Sequence, residues 1–184
     1  PASEQPMTLR KKRNDGSARS FTRAGLSVGA MGLALVLMGC GSSGGQSNES
    51  ADASLASIPG VSDASVTTES VTSGFQQETS TSVEISLEQG FAVPDEAALA
   101  EYLVKVAWST KTKEANWTVR VQVLSEPQVS MLDALTAAGW ETTAGIQNRP
   151  ERASVRADEV KDRLGSWPGE VPELPDGLIV GTAP

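Results

Sequence analysis

Twenty-three carboxylates, fifteen basic side chains, one thiol and no histidine define the chemistry open to this 184-residue chain. Without an imidazole, Ser-His-Asp and Cys-His catalysis are excluded, and the single Cys40 can close no disulfide within the chain. A Cys/His zinc site fails on ligand count. Paired carboxylates remain as acid–base chemistry of the glycosidase kind, with Glu84 and Glu88 on a strand pattern or Asp158 and Glu159 at a helix start. Solvent exposure and the helix dipole account for both pairs without catalysis. A Ser–Lys arrangement through Lys105 or Lys161 has no motif to mark it, and neither a phosphate-binding loop nor a nucleophile elbow occurs. No catalytic residue, metal site or cofactor is therefore assigned. Four tryptophans offer contact area: Trp117 and Trp140 are expected in the core, whereas Trp167 sits in a Pro/Gly segment. Trp167, with Arg120 and Gln122 on the polar side of a strand, makes up the candidate partner-contact set.

The elements that would carry these residues are legible from periodicity. Val83, Ile85 and Leu87 alternate with Ser82, Glu84, Ser86 and Glu88, the pattern of a half-buried strand, and Ser65–Phe75 is expected to pair with it as a hairpin. Pro94 stands as a first helical residue, followed by Asp95 and Glu96 and a stripe of Leu99, Tyr102, Leu103 and Val106. Trp117, Val119, Val121 and Val123 then alternate with Thr118, Arg120 and Gln122. Ser130 with Asp133 predicts a capped helix burying Leu132 and Leu135, ended by Gly139 with Trp140 as its hydrophobic contact. Strands are expected over 141–146 and 152–156, and a helix over 157–164 that Gly165 stops.

Charge is unevenly distributed. Six basic and two acidic residues precede Cys40, leaving nine and twenty-one after it, a formal charge of −12 that disfavours nucleic acid as a partner. Met7 is expected to be the start, with residues 1–6 upstream of the native chain. From there a basic segment (Arg10-Lys11-Lys12-Arg13, Arg19, Arg23) leads into an apolar run, Ala24 to Met38, about 15 residues long and short of the roughly 20 that span a bilayer. It ends Leu37-Met38-Gly39-Cys40. This resembles the lipobox of bacterial lipoproteins, with Leu37 and Gly39 matching and Met38 departing from the usual small residue. The resemblance covers residues 7–40. It implies cleavage before Cys40, diacylglyceryl on its sulfur and attachment to the extracytoplasmic face of the cell membrane.

The expected organisation is a signal peptide over 1–39, a lipidated cysteine and flexible tether over 40–65, a small domain over 66–168 and a Pro-rich tail over 169–184 without regular structure. The tether follows from its Gly/Ser/Ala content, with Leu55, Ile58 and Val61 too sparse to offset ordering entropy. The fold class is α+β: a two-layer sandwich of an antiparallel or mixed sheet with helices on one face, ferredoxin-like topology being a special case. Functionally, the expectation is a non-enzymatic envelope module. Its partners would be membrane lipid, through acylated Cys40, and an envelope protein or cell-wall component. The alternative is a small envelope hydrolase using paired carboxylates.

Overall fold

The computed structural model describes residues 44–143 and 149–182. The expected cleavage region and Cys40 lie outside the described residues, as does the second half of the strand expected over 141–146. The elements in chain order are α1 (Asn48–Ala56), β1 (Val61–Ser73), β2 (Gln76–Leu87), β3 (Phe91–Ala92), α2 (Glu96–Ser109), β4 (Thr118–Leu124), α3 (Met131–Ala137), β5 (Thr142–Thr143), β6 (Arg152–Arg156), α4 (Ala157–Leu164) and β7 (Val180–Gly181). The fold is α+β: one mixed five-stranded sheet in the order β1-β2-β4-β6-β5, with β2 and β4 its parallel pair, under a layer of helices. An opening helix–hairpin unit and the two-stranded β3/β7 ribbon depart from the βαββαβ order of ferredoxin-like topology. Among the described residues, no helix is long and apolar enough to cross a membrane.

The alternation read from β2 and β4 sorts the sheet into two faces. Register aligns Val66, Val83, Val121 and Ala153 in one row across four strands, with Ala64, Ile85 and Val123 beside it. Ile85, Val121 and Val123 are fully buried there against Leu99 and Leu103 of α2, Leu135 of α3 and Val160 of α4. The opposite face carries Thr67, Ser82, Arg120 and Ser154 in one row and Ser65, Glu84, Gln122 and Arg152 in the next. One face is thus apolar and helix-covered and the other polar, as an antiparallel or mixed sheet permits.

Local chemistry fixes the helix ends. Asp95 caps α2 by accepting from the Ala98 N–H at 2.9 Å, so Pro94 precedes the cap and is not the first helical residue. Ser130 accepts from the Asp133 N–H at 3.3 Å. At the far end of α3, Gly139 takes φ +81°. Trp140 N–H then donates to Leu135 O at 2.9 Å and Gly139 N–H to Thr136 O at 3.0 Å, the Schellman arrangement. Met131 and Leu135 of α3 are buried, but Leu132 is not: it is 36% exposed.

Three further expectations need correction. The stretch expected as a tether contains α1 and the start of β1, and its supposedly sparse apolar residues are all buried: Leu55 at 0% exposure, Ile58 at 6% and Val61 at 8%. A nine-residue helix of small polar residues is not stable alone. Docking on β1 stabilises it, and Asp52 accepts the outward-facing N–H of Val66 on that edge strand. Upstream, Gln46 runs parallel to Thr110, receiving the Lys111 N–H and donating its own to Ser109 O, each at 2.8 Å. Second, the Pro-rich tail is attached: Leu178 is buried and Val180–Gly181 pairs with Phe91–Ala92. Third, Trp117 is 53% exposed. It lies just before β4, its N–H on Thr79 O and its carbonyl taken by Ala157 N–H, with the ring outside the core.

Candidate functional site

The polar sheet face holds a shallow depression of about 160 Å³, lined by Thr67 and Glu69 of β1, Ser82 and Glu84 of β2, Arg120 and Gln122 of β4, and Arg152 of β6. Each side chain is there by strand parity, since residues two apart share a face. Hydrogen bonds run along the rows: Arg120 Nη1 donates to Ser82 Oγ at 3.3 Å and Arg152 Nε to Gln122 Oε1 at 2.7 Å. Ser80 and Thr118 hydroxyls meet at 3.0 Å at one end. These bonds hold the guanidiniums by one nitrogen each, and Gln122 is 8% exposed beneath them. None of the ion pairs among the described residues joins Glu69 or Glu84 to Arg120 or Arg152. Two acids and two guanidiniums therefore share an open face without a direct ion pair within 4.0 Å between them.

Of the sequence-derived contacts, Arg120 and Gln122 come together here. Trp167 does not line the depression and packs half-buried against the core. Arg152, Glu69, Thr67 and Ser82 were missed, although the alternation Arg152, Ser154, Arg156 around buried Ala153 and Val155 carried the signal for Arg152.

Of the carboxylate pairs considered for acid–base work, Glu84 and Glu88 are not brought together, whereas Asp158 and Glu159 line one open depression with Glu141 and Asp162. Glu84 and Glu88 are four residues apart along an extended chain, roughly 13 Å, beyond the span of a glycosidase pair. Asp158 is engaged by Arg156 through two hydrogen bonds of 2.9 and 2.6 Å. The guanidinium bonds hold its carboxyl below the usual carboxylate range, the wrong direction for a general acid. Glu159 accepts the Glu141 N–H at 2.9 Å. Lys105 and Lys161 pair with Glu101 at 2.7 Å and Glu114 at 3.0 Å. Among the described residues, no three His, Cys, Asp or Glu side chains are grouped to hold a metal ion.

Compared with known protein families, curated proteins and solved structures, the chain matches none.

Proposed function

We propose that this is an extracytoplasmic lipoprotein of the bacterial cell envelope, anchored by diacylglyceryl on Cys40, whose domain engages an envelope protein or cell-wall component through its polar sheet face. The observation that carries the reading is the unpaired mixture of Arg120, Arg152, Glu69 and Glu84 over a shallow floor. At about 160 Å³ the depression is smaller than the roughly 300 Å³ at which small-molecule pockets begin. It is suited to a flat partner, with guanidinium edges free for bidentate bonds to carboxylates. The anchor is tested by metabolic labelling with a clickable fatty acid: the wild type takes the label and Cys40→Ser does not. The surface is tested by crosslinking and recovery of partners from intact cells. Arg120→Glu should reduce recovery while stability stays within about 0.5 kcal/mol, as for a surface substitution. Recovery at the wild-type level from both Arg120→Glu and Arg152→Glu would remove this face from the proposal.

One observation favours a second reading, an envelope hydrolase: Glu69 and Glu84 line the same depression. Turnover of a cell-wall glycan, lost on Glu84→Gln with the fold intact, would establish it in place of the contact module.

A further inference from the structure

The long hairpin outruns its sheet. β4 pairs with β2 only over Ser80–Ser86, so Ser70–Thr79 project as a two-stranded arm. Asn116 closes the outward edge of β2 at its base, donating Nδ2–H to Gln77 O at 2.8 Å and accepting Thr79 N–H at 2.7 Å. At the tip Phe75 is fully exposed (109%), and Val71 on the arm is 63% exposed. Trp117, beside the arm's base, adds a second uncovered aromatic ring, and Lys111 and Lys113 are exposed in the same loop.

The chain leading back to Cys40 leaves the domain at this same end. Asn48 Nδ2 contacts Thr68 Oγ1 at 3.4 Å, and Thr112 Oγ1 donates to Asn48 Oδ1 at 2.8 Å. Lys113 Nζ donates to Ser70 Oγ at 2.9 Å. From Gly45, which packs against the Ser109 carbonyl and Pro168, five residues back to Cys40 reach at most about 18 Å. From Thr68 to the turn at Gly74 is six residues of strand, roughly 20 Å. An acyl chain on Cys40 and the ring of Phe75 can therefore meet one plane.

We propose that this end of the domain rests on the lipid bilayer, with Phe75 and Trp117 in the headgroup interface as a second point of attachment. The inference rests on the lipid anchor proposed above. Exposed aromatic rings with neighbouring lysines are the chemistry of an interfacial contact. The acyl chains supply the affinity and the arm supplies the orientation, since a single short link would leave the domain free to tumble. Glu78 on the arm and Glu69 at its base select against a strongly anionic surface.

Once Cys40 is acylated the chain has no free thiol, so Phe75→Cys can be labelled alone with an environment-sensitive fluorophore. Gln89→Cys, exposed at the opposite end of β2, serves as the control. Full-length lipidated protein is placed in phosphatidylcholine vesicles carrying a spin label near the headgroup. Position 75 should show blue-shifted, quenched emission and position 89 neither. Flotation with the vesicles but unquenched emission at both positions overturns the contact and leaves the anchor standing. Absence of both fatty-acid label and flotation removes the anchor, and the contact with it.

Discussion

Leu55→Ala separates a folded α1 from a tether more cleanly than any other substitution. Leu55 is fully buried in the main core beside Ala51 and Ile58, on a helix whose remaining residues are small and polar. Removing its branched end deletes about three methylene equivalents at about 0.8 kcal/mol each, and a partly collapsed cavity adds to that, giving about 3 kcal/mol. For a domain of this size, 1 kcal/mol moves Tm by roughly 3–5 °C, so the expected loss is on the order of 9–15 °C. The measurement is calorimetry and urea unfolding of residues 40–184 carrying Cys40→Ser, with Leu132→Ala as the exposed comparison. Limited proteolysis of the parent should yield a resistant core beginning near Gln46 and not in the 60s or 70s. A change under about 0.5 kcal/mol, the level of an ordinary surface substitution, would show that α1 is not docked and that the segment is a tether after all.

Gly45 has φ +35°, and a β-carbon there would meet the Ser109 carbonyl oxygen at 2.5 Å and Pro168 Cβ at 2.8 Å. Gly45→Ala should therefore cost more in urea unfolding than Gly74→Ala, where the space is open and only the left-handed backbone penalty of about 1–2 kcal/mol applies. The Arg163 guanidinium lies 3.6 Å from the Trp140 ring centroid and donates to Gly139 O at 2.9 Å and Ala138 O at 3.2 Å. Arg163→Ala should cost about 1–2 kcal/mol and change Trp140 fluorescence, with Arg163→Lys recovering only part of it. Asp158, held by the Arg156 guanidinium, should titrate below the value of an unperturbed aspartate by NMR. Its depressed folded pKa contributes stability present above that value and lost as pH falls through the folded pKa, so Asp158→Asn should flatten the acid limb of stability.

Legibility followed the range of the interactions. β6 and α4 occupy the stretches read from sequence, because alternation, the acidic first turn and Gly165 are local signals. The Schellman end of α3 was equally plain. Arg120 and Gln122 were placed on the correct face by parity, but parity in one strand does not say which residues of its neighbours complete the depression. That requires the register, which brings Glu84 and Arg152 to either side of Gln122. The helix α1 was illegible for a different reason: Ala51, Leu55 and Ile58 amount to too little apolar surface to signal a helix, and become sufficient only against an edge strand that sequence spacing does not reveal. Leu178 in the Pro-rich tail is the same case, a lone apolar residue with a distant receptor.

The hydrogen bond from Val66 to Asp52 bears on the order in which the chain folds. Fourteen residues separate its two ends, and the hairpin it ties to α1 follows that helix directly in sequence. A chain emerging amino-terminus first therefore completes α1, β1 and β2 as one local unit, long before β6 exists to take its place in the sheet. Short-range closure of this kind is fast. The part of the edge strand beside α1 is thereby covered early, during the interval in which an incomplete sheet is most prone to aggregate.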